Sequence, residues 1–135
     1  MQPNGGLAWN QNKSIIATTD DYSKLKFNPD YATQSGPMLV INEKINPKFL
    51  ERSDSFKIRN GVGIKDQTLY FVISNTAVSF YQFTQFFQQQ LKVQNALYLD
   101  GSISSAYIPP LKHADSFFKL GPMLAYIDTQ NYQKD

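Results

Sequence analysis

Alternating apolar and polar positions predict several short strands along this chain. Residues 7–18 favour two strands around a polar turn at Asn10–Lys13, because apolar runs flank that turn on both sides. The run Met38–Ile41 predicts a buried strand, and Asn42-Glu43 predicts a tight reversal after it. Thr68–Ser74 has the strongest strand pattern in the chain, since it combines β-branched and aromatic residues.

A hairpin is predicted in the middle of the sequence. Apolar residues alternate with polar or small ones from Phe56 to Ile64, and Gly61 and Gly63 are expected to interrupt that strand. Lys65-Asp66-Gln67 is a turn between it and Thr68–Ser74.

A helix is predicted over about residues 79–92. Ser79 and Gln82 form the sequence pattern of a capping box, which pairs each side chain with the backbone of the other residue. Apolar residues then recur at near-helical spacing: Phe80, Phe83, Phe87 and Leu91. The intervening glutamines are expected to form a solvated face.

The remaining segments are expected to be short. Thr19 or Asp20 could cap a helix that runs to Lys26, and residues 112–120 could be a short helix or a loop. The chain should also contain a turn at Ser35-Gly36-Pro37, a surface loop at 46–56, strands at Ala96–Leu99, Ser102–Ile108 and Pro122–Ile127, and a polar tail at 129–135. Together the elements predict an α+β (mixed α/β) fold with one main mixed sheet.

Composition limits the possible classes of protein. The 135 residues suit a single domain spanning 1–135, and 41% hydrophobic residues are enough for a core. A net charge of +2 without a basic stripe makes a nucleic-acid partner unexpected. The chain has no cysteine and one histidine, which excludes disulfides, a thiolate nucleophile and a multi-histidine metal site. No apolar run is long enough for a transmembrane helix, and the N-terminus lacks the regions of a signal peptide.

Asp100-Gly101-Ser102 is the first candidate site, because it directly follows the apolar strand Ala96–Leu99. Functional carboxylates often follow a buried strand, and a glycine lets the backbone come close to a ligand. Ser104 and Ser105 would add hydroxyl groups beside it. Asp-Gly is equally a common hairpin dipeptide, so the pattern alone also fits an ordinary turn.

Arg59-Asn60-Gly61-Val62-Gly63 is the second candidate. An arginine beside two glycines could present its planar guanidinium to a phosphate. A lone Gly-x-Gly lacks the third glycine of a dinucleotide motif, and a strand-edge arginine with a bulge at Gly61 is the alternative. His113 is interpreted as a surface or structurally satisfied histidine.

Four segments in a fixed order resemble a known family. They are Gln34-Ser-Gly-Pro-Met-Leu-Val, Ile58-Arg-Asn-Gly-Val-Gly-Ile, Val78-Ser-Phe-Tyr-Gln-Phe and Asn95-Ala-Leu-Tyr-Leu-Asp-Gly-Ser-Ile-Ser-Ser. The series resembles the bacterial branch of the phosphodiester glycosidase family, whose animal relative removes N-acetylglucosamine from mannose-6-phosphate diesters. The resemblance extends from roughly Pro3 to Ile127.

The resemblance implies hydrolysis of a sugar-1-phosphate diester, so a carbohydrate or glycosyl-phosphate ligand is expected. It implies catalytic roles for Asp100, Arg59, Ser104 and Ser105. It implies substrate-binding roles for Asn60, Gly61, Gly101, Ser102, Gln34, Ser35 and Gly36. Many relatives carry three glycines after the aspartate, where this chain has Ser102 and Ile103, and a threonine after the arginine, where it has Asn60.

The hypothesis is that Asp100 acts on the glycosyl-phosphate bond while Arg59 binds phosphate oxygens. The serines would orient Asp100 or the sugar hydroxyls. Whether Asp100 is acid or base stays open, because no second carboxylate is identified: Asp20, Asp21 and Asp115 have no positional support. No cofactor is predicted, although Asp100 could serve as an oxygen ligand of a divalent metal.

The length of the chain is the main departure from the family. Relatives resemble it only beyond their own N-terminal portion, so it is expected to be the C-terminal part of the domain, with an exposed sheet edge that another copy or chain would cover. The resemblance favours a periplasmic or secreted location, although the chain shows no signal peptide. The competing function is a non-catalytic glycan-binding or cell-envelope interaction protein; a weaker one is a single-strand RNA binder that uses exposed tyrosines.

Overall fold

Short antiparallel strands dominate the structure, a computed structural model that describes residues 4–49, 51–99, 107–108 and 113–114. The described strands are β1 (Gly5–Trp9), β2 (Ser14–Thr18), β3 (Tyr31–Ser35), β4 (Met38–Ile41), β5 (Lys44–Ile45), β6 (Asn60–Lys65), β7 (Thr68–Ile73), β8 (Asn95–Tyr98), β9 (Tyr107–Ile108) and β10 (His113–Ala114). The described helices are α1 (Thr19–Lys24) and α2 (Phe80–Gln85), and a π-helical stretch over Phe86–Gln90 continues α2.

Two main sheets form among the described residues. One has three strands in the order β2-β1-β3, and the other has five in the order β5-β4-β8-β6-β7; β9 and β10 make a separate two-stranded pair. Every pairing between described strands is antiparallel. The fold is therefore dominated by sheet with few helices, which matches the α+β expectation in part. The described strands form two antiparallel main sheets where one mixed sheet was expected.

Three local hairpins confirm the sequence-based predictions. β1 pairs with β2 across the polar turn, and β6 pairs with β7 in continuous register. The β4–β5 turn at Asn42-Glu43 and the β6–β7 turn at Asp66-Gln67 each place two consecutive residues at positive φ. That backbone geometry matches the twist of two-residue hairpins.

The five-stranded sheet is buried on both faces. β8 shows the alternation: Ala96 and Tyr98 belong to the core cluster that contains the α2 aromatics, whereas Leu97 belongs to the cluster shared with β1 and β2. The molecule therefore stacks the three-stranded sheet, the five-stranded sheet and α2 as successive layers.

Asparagine and glutamine side chains link the two sheets. Met38 N donates to Asn4 Oδ1 at 2.7 Å, and Asn95 Nδ2 donates to Ile16 O at 2.9 Å. Ser14 N donates to Gln67 Oε1 at 2.9 Å. These amides satisfy backbone groups that the sheet ladders leave unpaired, which gives the amide-rich composition a structural use.

The capping box of α2 is confirmed, because Gln82 N donates to Ser79 Oγ and Ser79 N donates to Gln82 Oε1, both at 3.1 Å. Helical structure continues to Gln90, close to the predicted end. α1 is shorter than expected: its cap is Thr18, whose hydroxyl accepts from Asp21 N, and the backbone is extended at Leu25.

Several predicted boundaries need correction. Gln34 and Ser35 lie in β3, not in a turn, because they pair with Gly6 and Gly5 of β1. β6 begins at Asn60 and runs through its glycines without interruption. The predicted strand at Ser102–Ile108 is described only at its last two residues. Predictions for residues 115–135 lie outside the described part of the chain.

Candidate functional site

Strand pairing brings three of the four quoted segments together at one end of the five-stranded sheet. Tyr98 pairs with Gly61 across β8 and β6, and Tyr98 N donates to Pro37 O at 3.1 Å. Leu99 N donates to Asn60 O, also at 3.1 Å. Because antiparallel neighbours run in opposite directions, the starts of β4 and β6 lie beside the end of β8. We call residues 36–37, 59–61 and 98–99 the motif end of the sheet.

Arg59 is a buried residue at the motif end. Only 1% of its surface is exposed, and it is the largest fully buried side chain among the described residues. Its Nε donates to Val78 O at 2.9 Å and one terminal nitrogen donates to Ser55 O at 2.8 Å. Both of these acceptors are main-chain carbonyls. The predicted bulge at Gly61 is absent from the β6–β7 register, and the described irregularity lies in β4, between Met38 and Val40.

Aromatic rings enclose the guanidinium of Arg59. Its Cζ lies 3.7 Å from the centroid of the Phe80 ring and 5.7 Å from that of Tyr98. Phe80 also stacks on Phe49, with centroids 5.0 Å apart and planes within 4°, and meets Tyr98 edge-on at 4.8 Å. A buried cation is costly unless it is compensated, and the ring face and the two carbonyls provide that compensation.

Gly61 faces α2, and Gly63 faces the π-helical stretch that continues it. A Cβ atom on Gly61 would lie 3.2 Å from a Phe83 ring carbon and 2.9 Å from Leu97 O. A Cβ on Gly63 would lie 2.8 Å from Phe87 and 2.8 Å from Val93. Close helix packing is thus the visible reason for both glycines, and the predicted role of Gly61 in substrate binding stays a prediction.

Of the three predicted substrate-binding residues before β4, Gly36 belongs to the motif end, whereas Gln34 and Ser35 lie in β3. Gly36 precedes Pro37 directly, and the peptide bond between them is cis. Ser35 O accepts from Asn4 N at 3.1 Å. Gln34 lines a cavity of about 220 Å³ together with Thr19 and Tyr22, and Arg59 is not among the lining residues. Gln34 and Arg59 therefore do not share a described cavity.

The second cavity lies away from the motif end. It has a volume of about 280 Å³, and its lining includes Asn42, Gln67 and Asn95. Asn42 follows β4 and Asn95 starts β8, so this cavity is at the opposite end of the five-stranded sheet. The side chains of Gln67 and Asn95 bond to backbone groups, which suits the joint between the two sheets.

Five predicted site residues lie outside the described part of the chain: Asp100, Gly101, Ser102, Ser104 and Ser105. Asp100 follows Leu99 in the sequence, and Leu99 is bonded to Asn60 at the motif end. In the described ranges, no three histidine, aspartate or glutamate side chains are grouped as metal ligands. Within the same ranges no helix is long and apolar enough to span a membrane.

Sequence reasoning missed two residues that shape the motif end. Phe80 was assigned to a core stripe, but its ring also contacts the guanidinium of Arg59. The second is Asn4, whose side chain accepts from Met38 N at the start of β4. The capping box could have indicated Phe80, since it fixes Phe80 as the first residue of α2; no sequence pattern pointed to Asn4.

Comparison with known proteins identifies the family. A model of the phosphodiester glycosidase family matches residues 2–123. "Uncharacterized protein YigE" of Escherichia coli (strain K12) is 39% identical over 105 residues, which cover 77% of this chain and 41% of that protein. The chain thus spans less than half the length of this relative. No solved structure matches the chain. The family match covers most of the sequence, and the chain belongs to the phosphodiester glycosidase family.

Proposed function

We propose that this chain is a hydrolase, or part of one, that releases a sugar from a sugar-1-phosphate diester. Membership of the family supports this class of reaction. The observation that carries the proposal is the pairing of β8 with both β4 and β6, which gathers three separate motif segments at one sheet end. Neighbouring groups from distant parts of a chain are what a binding site requires.

In the proposed reaction, water adds to C1 of the sugar while the bond between C1 and the phosphate oxygen breaks. The products are the free sugar and a phosphomonoester, so atoms and charge balance without a further reactant. Asp100 would either activate the water or assist the leaving phosphate, and Ser104 and Ser105 would orient Asp100 or the sugar hydroxyls. The substrate would contact residues from the segments around Gly36, Asn60 and Gly101.

The test uses the methyl phosphodiesters of α-glucose 1-phosphate and α-N-acetylglucosamine 1-phosphate with the purified chain. Release of reducing sugar is expected, and Asp100→Asn should lower the rate by about 10²- to 10⁴-fold. Asp30→Asn is the matched control, because Asp30 is an exposed aspartate outside the four motif segments. Its activity should equal that of the unmodified chain.

Isotope labelling identifies the bond that breaks. In ¹⁸O-water, cleavage between C1 and oxygen places the label in the released sugar, whereas cleavage between phosphorus and oxygen places it in the phosphate. Label in the phosphate, or equal rates for Asp100→Asn and the unmodified chain, would refute the proposed chemistry. Saturable binding of a diester without any turnover would instead support a glycan-binding protein.

A further inference from the structure

We propose that Arg59 is a positioning residue that holds the end of β8, and that it does not bind the phosphate. The inference rests on the proposed function, since it concerns the same site. It replaces the role that the family resemblance implied for Arg59. The contacts of the side chain and of the backbone around it carry the inference.

The side chain of Arg59 joins segments that are separate in the sequence. Its guanidinium donates to Ser55 O in the loop before β6 and to Val78 O just before α2. It stacks on Phe80 in the first turn of α2, and Phe80 in turn packs edge-on against Tyr98 of β8. One buried cation therefore links the loop, α2 and the end of β8.

The backbone of Arg59 is held as firmly as its side chain. Arg59 N donates to Ser74 Oγ at 2.9 Å, and Arg59 O accepts from Ser74 N at 2.9 Å. Val78 O accepts from Lys57 N as well as from Arg59 Nε. A side chain fixed in this way keeps one orientation relative to Tyr98, which a positioning role requires.

The burial of Arg59 argues against a role for its guanidinium in binding the substrate phosphate. With 1% of its surface exposed, the guanidinium presents almost no area to a substrate. Phosphate oxygens normally bind the edge of an arginine, where its N–H groups lie, and here the edge donates to two carbonyls while the face covers Phe80. A phosphate that bound either of these two N–H groups would have to displace its carbonyl contact.

The experiment separates the two roles by kinetics. Arg59→Met removes the charge and the hydrogen bonds, and Phe80→Leu removes the ring under the guanidinium without touching a substrate ligand. The inference expects both variants to lower kcat by at least about tenfold while KM, and the inhibition constant of methyl phosphate, change less than about threefold. Arg52→Met is the matched control, because Arg52 is the other arginine and is exposed.

A phosphate-binding arginine gives a different pattern. Arg59→Met would then raise KM and the inhibition constant of methyl phosphate by about tenfold or more, and Phe80→Leu would leave both unchanged. That result would overturn the inference. If Arg59→Met does not fold, as judged by circular dichroism, the same kinetic constants are compared for Arg59→Lys and Phe80→Leu. Lysine keeps the charge but cannot both stack and donate to two carbonyls, so it should not restore kcat.

Hydrogen exchange tests the inference without reference to turnover. The amides of Tyr98 and Leu99 donate to Pro37 O and Asn60 O, so loosening of the β8 end should speed their exchange. Faster exchange at residues 98–99 is expected in Arg59→Met and Phe80→Leu and not in Arg52→Met. Unchanged exchange in both variants would overturn the positioning role. Absence of turnover in the unmodified chain would refute the proposed function alone, because the exchange data would still decide the role of Arg59.

Discussion

Replacing Gly63 with alanine should destabilise the fold although the backbone conformation there permits any residue. A Cβ at this position would lie 2.8 Å from Phe87 and 2.8 Å from Val93, and both neighbours are buried at 0% and 1% exposure. Neither side chain can swing into solvent, so the sheet and α2 must separate. Overpacking of this kind costs about 1–3 kcal/mol, and the reduced entropy of the unfolded chain offsets about 0.4–1 kcal/mol. The net loss should be roughly 0–2.6 kcal/mol, with about 1.3 kcal/mol at the centre of that range.

Gly6→Ala is the matched control for this substitution. Gly6 also lies in a buried strand, but its added Cβ would meet Thr33 O at 3.4 Å as its nearest contact. The same glycine-to-alanine change should therefore be neutral or stabilising by up to about 1 kcal/mol. The two variants differ in the space available and share the change in unfolded-state entropy.

Urea unfolding followed by the fluorescence of Trp9, the single tryptophan, measures both variants. With a slope of about 1–3 kcal/mol per molar urea, a loss of about 1.5 kcal/mol lowers the midpoint by roughly 0.5–1.5 M. Adding Val93→Ala to Gly63→Ala should recover part of the loss, because it removes one of the clashing atoms. Equal midpoints for Gly63→Ala and Gly6→Ala would show that α2 does not pack against β6 as described.

Two further substitutions test the core and the sheet edge. Thr84→Val should raise the free energy of unfolding by about 1 kcal/mol, because the Thr84 hydroxyl is buried without a hydrogen-bond partner among the described residues. A lower urea midpoint than that of the unmodified chain would contradict this. Phe71→Lys should weaken self-association in sedimentation velocity, because Phe71 is 52% exposed on β7, an edge strand of the five-stranded sheet without charge or proline. Phe56→Lys is the control, since Phe56 is equally exposed but lies in a loop, and equal behaviour of the two lysine variants would exclude pairing through β7.

Local features of the fold could be predicted from the sequence because their causes are local. The β6–β7 hairpin follows from two apolar runs and a polar turn, and α2 follows from a capping box and helical spacing. Partition into two sheets could not be predicted in this way. Pairings such as β4 with β8 join strands more than fifty residues apart, and alternation along one strand does not specify its partner.

The roles predicted for the site residues stay predictions, but the spatial relation of the quoted segments is visible in the described residues. The quoted segments around Pro37, Gly61 and Tyr98 meet in space through strand pairing. Burial of Arg59 could not be foreseen, because arginine is almost never fully buried and nothing in residues 58–63 indicates the Phe80 ring that covers it.

The Arg-x-Gly-x-Gly pattern of β6 is best explained by the helix that lies across it. Side chains two residues apart share a face of a strand, so positions 59, 61 and 63 all point toward α2. Their contacts there are Phe80, Phe83 and Phe87, which share one side of the helix. Gly61 and Gly63 let the Phe83 and Phe87 rings approach the sheet. Arg59 has a planar guanidinium, which stacks on the Phe80 ring.

This arrangement couples the core to the motif end. A substitution that pushes α2 away at Gly63 also shifts Phe80, and Phe80 is the ring that Arg59 and Tyr98 both contact. Gly63→Ala should therefore speed amide exchange at Tyr98 and Leu99, although Gly63 lies outside the motif end. Gly6→Ala should leave that exchange unchanged, because its nearest contact is within the three-stranded sheet. Packing against the helix and positioning of the β8 end then both depend on the residues at positions 59, 61 and 63.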